Sequence, residues 1–199
     1  MPRAFVKDFK NMNLNRNRQR AFSLVELMIV VAIIGVLSTL AIQGVRRYLA
    51  NAKSAEAKNA IGSMAKSAVQ AFDQERSLST GVMAAGATAA TSKQFCASAA
   101  ATVPAGIGSV KGVKYQPTTT EWGGDSNTGW RCLKFSVDNP IAYMYEYKAT
   151  VTTGAGDFTA SAYGDLNGDG TTSSFRIAGA ATTGVARYAP TIAETSPDE

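Results

Sequence analysis

The hydrophobic pattern of the chain is dominated by one apolar run, Leu27–Val45, which lies between the acidic Glu26 and the basic pair Arg46 and Arg47. As a helix, this run spans roughly 29 Å at about 1.5 Å per residue. That length matches the hydrocarbon thickness of a bilayer, which is about 30 Å. The pattern therefore predicts a membrane-spanning helix over residues 22–45.

After this run, apolar residues recur mainly at every third or fourth position as far as about Arg76. Such spacing is typical of an amphipathic helix with one apolar stripe. We expect the helix to continue over residues 46–76 and to pack the stripe against a folded domain. The predicted stripe consists of Val45, Leu49, Ala57, Ile61, Met64, Ala65, Ala68 and Phe72.

The remainder of the chain has no long helical pattern. Residues 77–109 are rich in Ala, Ser, Thr and Gly, which predicts an irregular loop. Over residues 110–188, β-type runs alternate with clusters of Gly, Asn and Asp, which favours an antiparallel sheet with short connections. The tail, 189–199, is expected to be mobile surface. The predicted strands are Val110–Gln116, Trp130–Val137, Tyr143–Val151, Phe158–Tyr163 and Ser174–Ile177.

Alternation between the two faces of a strand is clearest in Tyr143–Val151, where Tyr143, Tyr145 and Tyr147 share one face. Packing the apolar face of the sheet on the apolar stripe of the helix would bury both. The sequence therefore predicts an α+β fold, in which a long N-terminal helix packs on an antiparallel β-sheet head.

The positive charge of the chain is concentrated at its N-terminus. The sequence has a net charge of +5, and residues 1–21 supply all of this excess. This segment predicts a leader that stays cytoplasmic and directs the C-terminal part across the membrane. Since residues 22–199 are neutral overall, no dedicated nucleic-acid-binding surface is expected, although a local basic patch stays open. The patch residues are Lys111, Lys114, Arg131 and Lys134.

The composition excludes several kinds of catalysis. The chain has no His, which removes Ser-His-Asp and Cys-His catalysis and His-ligated zinc. Its two Cys, Cys96 and Cys132, are too few for a Cys-based zinc or iron–sulfur site. The sequence also lacks the phosphate-binding loop pattern of nucleotide-binding enzymes. We therefore expect no enzymatic activity.

Two simpler interpretations of the apolar run are a cleaved secretory signal and a plain membrane anchor. A secretory signal has a shorter apolar region, of about 7–15 residues, followed by a small-residue cleavage site that this run lacks. Neither interpretation explains Glu26, because a carboxylate within a bilayer is costly and needs a partner. Glu26 is therefore a candidate functional residue.

The segment Ala21–Leu37, with the sequence AFSLVELMIVVAIIGVL, resembles the processing and assembly segment of type IV pilins and pseudopilins. The resemblance implies that a prepilin peptidase cleaves between Ala21 and Phe22, methylates the new N-terminus at Phe22 and leaves the apolar helix in place. It also implies that Glu26 pairs with the Phe22 amine of a neighbouring subunit during assembly. An ammonium and a carboxylate that are buried among apolar helices each need a counter-charge, which agrees with this role.

Cys96 and Cys132 are expected to form a disulfide, because an exported domain reaches a compartment in which disulfides persist. On the chain-entropy model, closing a loop of this size contributes about 4 kcal/mol. The bridge would attach the predicted loop 77–109 to the predicted strand Trp130–Val137. Two unpaired thiols are the alternative.

The segment Asp165–Gly170 resembles the start of a calcium-binding loop, with oxygen ligands at Asp165, Asn167 and Asp169. It then departs from the pattern, since Arg176 occupies the position at which an EF-hand has a Glu that binds through both oxygens. Asn-Gly and Asp-Gly are also strong turn formers. The sequence leaves two interpretations open, a polar turn alone and a weak calcium site.

The pilin resemblance implies a structural subunit whose mature chain, Phe22–Glu199, polymerises into a type IV pilus for surface adhesion and twitching motility. The mature N-terminal Phe and the Asp165–Gly170 segment resemble those of major pilins of gliding myxobacteria. The implied partners are further copies of the chain in a helical filament, the prepilin peptidase and the assembly machinery of the inner membrane. The precursor is expected in the inner membrane and the filament at the cell surface, as an extracellular fimbrium. The alternatives are a major pseudopilin of a type II secretion system and a minor pilin.

Overall fold

A computed structural model of the chain describes residues 22–74, 76–77, 84–86 and 91–197. The predicted leader, residues 1–21, and the last two residues of the predicted tail lie outside this described part. The chain divides into two units, one ending at Gln43 and the other extending from Gly44 to Glu199.

Helix α1 covers Leu24–Asp73 and so ends three residues before the predicted end at Arg76. Its N-terminal part is long and apolar enough to cross a membrane, and none of the most apolar stretch of the helix is buried. Its C-terminal part buries one face. The buried residues of the helix are Ser54, Ala57, Ile61, Met64, Ala65, Ala68, Ala71 and Phe72.

The predicted stripe is therefore packed only in its C-terminal part. Ala57, Ile61 and Phe72 are fully buried, as the three- and four-residue spacing indicates. Val45 and Leu49 have the same spacing, yet they are 57% and 52% exposed. The packed face of the helix begins at Ser54, and the assignment of these two residues to it was wrong.

The main sheet has five antiparallel strands: β3 (Met144–Thr152), β4 (Ala155–Gly164), β5 (Ser173–Thr182), β6 (Val185–Tyr188) and β7 (Ala193–Thr195). They follow two short strands, β1 (Arg76–Ser77) and β2 (Thr91–Ser92), which pair with each other. In the main sheet the order is β3-β4-β5-β6, and β7 pairs with the other half of β5. The prediction of an α+β fold with a helix packed on an antiparallel sheet is confirmed.

Tight turns fix the register of the sheet. The turn between β5 and β6 consists of Thr183 and Gly184, which have φ angles of 52° and 78°. Two successive positive φ angles are typical of the type I′ turn that joins twisted antiparallel strands. In this register Tyr145 faces Ala162, which in turn faces Phe175. All three side chains are buried, as the alternation predicted for Tyr145.

Aromatic rings pack against one another in several parts of the core. Phe95 joins the helix to the sheet, since its ring centroid lies 4.8 Å from that of Phe72 and 5.1 Å from that of Phe158. On the other side, Trp122 packs edge-on against Trp130, with 5.1 Å between centroids. Pairs in this geometry add about 0.5–1.5 kcal/mol beyond their buried area. The loop that contains Phe95 is thus part of the core.

The predicted strand Trp130–Val137 was wrong, because this segment begins with a short helix, α2 (Gly129–Leu133). The helix ends at Lys134, whose φ of 53° is left-handed, and the N–H groups of Lys134 and Phe135 donate to carbonyls of α2. A strand would place Lys134 on the same face as Trp130 and Cys132. The helix instead leaves Lys134 exposed and buries Trp130, Cys132 and Leu133.

The predicted limits of the sheet, 110–188, were also wrong. Residues 107–110 form a 3₁₀ helix, and Gly112, with a φ of 66°, turns the chain directly after it. The predicted strand Val110–Gln116 makes only isolated bridges, at Lys111 and Tyr115. At the other end, β7 lies within the predicted tail 189–199 and pairs with β5 through residues 193–195.

Candidate functional site

The N-terminal segment begins with a helix cap that the sequence analysis did not recognise. The Ser23 hydroxyl accepts a hydrogen bond from the backbone N–H of Glu26 at 3.1 Å, and the N–H of Leu27 donates to the Ser23 carbonyl at 3.2 Å. Ser at the cap with Glu three residues later is the sequence pattern of a capping box. This S-x-x-E signal was visible at residues 23–26. It gives Glu26 a structural position in the first turn besides its predicted role in assembly.

Glu26 and Phe22, the two residues predicted to pair between subunits, are both exposed at this end of the helix. None of the ion pairs within the described part of the chain includes Glu26. The first-turn position is favourable for a carboxylate, since the N-terminus of a helix has a partial positive charge. Ala21, on the other side of the predicted cleavage site, lies outside the described residues.

The apolar residues of the first unit are exposed around the whole helix. For example, Leu24, Met28 and Leu40 are each more than half exposed. A contiguous apolar surface of this kind is covered in a functional protein, either by lipid or by another protein surface. The segment therefore has the chemistry of a membrane span and of a helix that packs against other helices.

In the second unit, Cys96 and Cys132 form a disulfide, with 5.7 Å between their Cα atoms, as predicted. The bridge attaches the segment before Ala97 to helix α2 rather than to a strand. Backbone hydrogen bonds support it, since the N–H of Ala97 donates to Asn127 at 2.9 Å and the N–H of Gly129 donates to Ala97 at 3.0 Å.

The disulfide-bonded segment also covers one edge of the sheet. Val103 and Tyr145, a residue of β3, exchange backbone hydrogen bonds of 3.0 and 2.8 Å. Nearby, the N–H of Ala99 donates to the carbonyl of Tyr147 at 3.1 Å. An uncovered edge strand can pair with other chains. The disulfide thus holds in place the segment that prevents such pairing along β3.

The structure brings the three predicted calcium ligands together in one loop. The buried carboxylate of Asp165 accepts hydrogen bonds from the N–H groups of Gly168 and Gly170 at 2.7 and 3.0 Å. Asn167 Oδ1 accepts from the N–H of Asp169 at 2.8 Å. These side-chain oxygens therefore stabilise the loop backbone, as side chains of Asp and Asn do in turns.

A lysine faces the same carboxylate. The ammonium of Lys111 lies 3.8 Å from Asp165 Oδ2. Asp169 accepts a hydrogen bond from the backbone N–H of Thr171, which is the main reason that the pKa of its carboxyl is below the usual value. Within the described residues, no group of three or more Asp, Glu, His or Cys side chains is placed to hold a metal ion. The two interpretations of this loop, a polar turn alone and a weak calcium site, both stay predictions.

The four residues of the basic patch have different surroundings. Lys111 is paired with Asp165, whereas Arg131 and Lys134 border a shallow depression that also contains Asp138. An acidic side chain in this depression reduces its attraction for phosphates. Lys114 is exposed. The arrangement gives no support to a continuous phosphate-binding surface.

A second group of basic side chains, which was not predicted from the sequence, lines a groove beside the Asp165–Gly170 loop. Arg46, Arg47 and Lys53 line a groove of about 630 Å³ together with Leu166 and Asn167 of the Asp165–Gly170 loop. The signal available in the sequence was the helical spacing of Arg46 and Lys53, which are seven residues apart. Their proximity to the loop depended on the tertiary structure.

Comparison with known proteins gives a family model and a curated relative that each match part of the chain. Residues 16–42 match a family model described as the prokaryotic N-terminal methylation motif. Over 73 residues, 37% of this chain, the sequence is 38% identical to the fimbrial protein EcpC of Eikenella corrodens. The alignment covers 47% of that relative, so the chain spans about half the length of the curated relative it matches. No solved structure matches the chain.

Proposed function

We propose, from the methylation motif and the fimbrial relative that together support a type IV pilin, that the mature chain Phe22–Glu199 is a structural subunit of a type IV pilus. The observation that carries the proposal is that two features coincide in one segment. The motif covers residues 16–42, and the apolar side chains of the same segment are exposed from Phe22 to Ile42. A processed N-terminus followed by an exposed apolar helix fits a subunit that moves from a membrane into a helical bundle.

In this proposal the helix has two successive environments. In the precursor, lipid covers the apolar side chains and the basic leader stays in the cytoplasm. After prepilin peptidase cleaves between Ala21 and Phe22 and methylates the new amine, helices of other copies cover the same side chains. The change exchanges one apolar environment for another, so the burial of apolar area does not by itself select the position of an incoming subunit.

In the proposed mechanism, Glu26 selects the position of the incoming subunit. A free α-amine has a reference pKa of about 7.7–8.0, so the Phe22 amine is largely cationic at neutral pH. The carboxylate of an incoming Glu26 and the amine of a neighbouring Phe22 are the charged groups available at the start of the apolar segment. Pairing them satisfies both charges, whereas a shifted subunit leaves each of them unpaired at a cost of several kcal/mol.

The test is Glu26→Gln, compared with Glu56→Gln in cells that express the full-length chain. Glu56 is the matched control, because it is an exposed Glu on the same helix, 30 residues further along. The Gln variant at residue 26 keeps the N–H that donates to Ser23 and therefore preserves the cap. We expect both variants to be processed at Phe22, with at least a tenfold loss of sheared surface filaments for Glu26→Gln alone.

Normal filament yield from Glu26→Gln cells would contradict the proposed role of Glu26. If the wild-type chain is processed but stays in the membrane, the pilus subunit proposal fails and a pseudopilin or minor pilin takes its place. We further propose that the filaments serve surface adhesion and twitching motility, so Glu26→Gln cells should attach and spread less on surfaces than Glu56→Gln cells.

A further inference from the structure

We infer that the groove between helix α1 and the Asp165–Gly170 loop binds the phosphate headgroup of an anionic phospholipid while the chain is in the membrane. The inference rests on the membrane-embedded precursor of the proposed function. The walls of the groove carry three cations, from Arg46, Arg47 and Lys53. The other residues that line it include Leu49, Leu166 and Asn167.

The charge of the groove is not balanced by the protein. None of the ion pairs in the described residues includes Arg46, Arg47 or Lys53. The loop contains two acidic residues, and both have partners within it or on Lys111. Asp165 is only 3% exposed, and its carboxylate contacts two backbone N–H groups and Lys111. The exposed Asp169 accepts hydrogen bonds from the N–H of Thr171 and the side-chain amide of Asn167. The groove therefore presents three positive charges to an external anion.

The position of the groove in the sequence indicates which anion it meets. Arg46 follows directly on the apolar run, which has the length of a bilayer span. Cationic side chains at the end of such a span lie at the level of the lipid headgroups. Lys53 follows Arg46 by seven residues, which is about 10 Å along helix α1, so the cations of the groove begin directly after the apolar run.

The lining also fits a lipid better than a free anion. Leu49 is half exposed and Leu166 is partly buried against the core, so the groove offers apolar surface beside its charges. The phosphate of a lipid headgroup can bind to the cations, and the acyl chains near the glycerol of the same lipid can contact the apolar surface. Arg guanidinium groups bind phosphate through two parallel hydrogen bonds, which favours a bound headgroup over diffuse attraction.

The experiment is native mass spectrometry of the full-length chain, solubilised in detergent with equal amounts of phosphatidylglycerol and phosphatidylcholine. We expect the wild-type chain to retain phosphatidylglycerol preferentially. Removing one cation by Arg46→Gln or Lys53→Gln should lower this retention about fivefold, since each Lys or Arg near an anionic lipid surface contributes about a factor of five. Lys66→Gln is the matched control, as Lys66 is an exposed lysine of the same helix outside the groove.

A second pair of variants tests whether the lipid binds in the groove itself or only to arginines that reach the headgroups. Asn167→Asp adds a negative charge to the loop wall, and Gln70→Glu adds one to an exposed position of the helix. Only Asn167→Asp should reduce retention of phosphatidylglycerol. Equal reduction by both variants would overturn the inference, and so would equal retention of the two lipids by the wild-type chain.

Other outcomes identify a different occupant. If glycerol phosphate added to the detergent solution competes fully with the lipid, the groove is a site for a free phosphate. If Arg46→Gln leaves lipid retention unchanged but abolishes a detergent-stable dimer, the occupant is a second copy of the chain. Either result overturns the lipid proposal. If alkaline carbonate extracts the precursor from membranes, the chain does not span the membrane and the proposed function itself fails. That outcome is separate from a failure of the lipid proposal alone.

Discussion

The ammonium of Lys58 lies 2.9 Å from one carboxylate oxygen of Glu194 and 3.0 Å from the other. Lys58 belongs to helix α1 and Glu194 to strand β7, so the ion pair joins elements that are 136 residues apart. The same ammonium lies 5.0 Å from the ring centroid of Phe175, on the neighbouring strand β5. One lysine of the helix thus contacts two neighbouring strands of the sheet, β5 and β7.

We expect Glu194→Gln to lower the free energy of unfolding only slightly, because both side chains are about one-third exposed. Ion pairs that are accessible to water contribute about 0.2–1 kcal/mol. A double-mutant cycle with Lys58→Gln and Glu194→Gln, measured by urea unfolding, should give a coupling energy in this range that falls at high salt. A coupling near zero, with Lys58→Gln alone still destabilising, would indicate that Lys58 acts mainly through the ring of Phe175.

Removing the disulfide should destabilise the head much more. We expect the double variant Cys96→Ala and Cys132→Ala to lose about 4 kcal/mol of unfolding free energy, because the unfolded chain regains the entropy of the closed loop. Urea unfolding measures this difference, and the intact mass of the wild-type protein should be two hydrogens below its reduced mass. A reducing agent should destabilise the wild-type protein but leave the double variant unchanged. Equal sensitivity of both proteins would contradict the prediction.

Acid should destabilise the protein in part through Glu121. Its carboxylate accepts a hydrogen bond from the backbone N–H of Thr118 at 2.6 Å and another from the Tyr115 hydroxyl at 2.6 Å. These bonds favour the charged form and lower the pKa of Glu121 below its ordinary value of 4.5. A lowered folded-state pKa gives stability that is present above the ordinary value and is lost as the pH falls through the folded-state value.

The measurement compares the melting temperatures of the wild type and Glu121→Gln from neutral pH to well below 4.5. We expect the variant to be less stable at neutral pH and to lose less stability on acidification. The matched control is Asp138→Asn, since no hydrogen bond to the Asp138 carboxylate is present within the described residues. If Glu121→Gln and the wild type lose the same stability in acid, the hydrogen bonds at Glu121 do not determine this part of the pH dependence.

The loop at Asp165 provides a test of its two interpretations. Asp165→Asn leaves the side chain with one carbonyl oxygen in place of the two that now accept N–H bonds, so we expect a loss of about 1–3 kcal/mol with or without calcium. Adding calcium to about 10⁻³ M then distinguishes the interpretations in the wild type. A rise in melting temperature that Asp169→Asn abolishes supports a weak calcium site, and an unchanged melting temperature supports a turn alone.

The sequence by itself determined the features that depend on long or unambiguous patterns. The apolar run Leu27–Val45 predicted a helix of membrane length, and the alternation from Tyr143 to Tyr147 indicated a half-buried strand. With only Cys96 and Cys132 in the chain, one disulfide was possible within it. In the first two cases many residues supported the same conclusion, and in the third only one pairing of cysteines was available.

Only the tertiary structure decided the features that depend on contacts between distant residues. Trp130–Val137 has too few residues for its periodicity to separate a strand from a short helix, and burial of Trp130 against Trp122, together with the disulfide, selects the helix. The pairing of β7 with β5 likewise could not be seen in an exposed, polar tail. A local pattern records which residues are buried, but the partner that buries them is defined only when the chain folds.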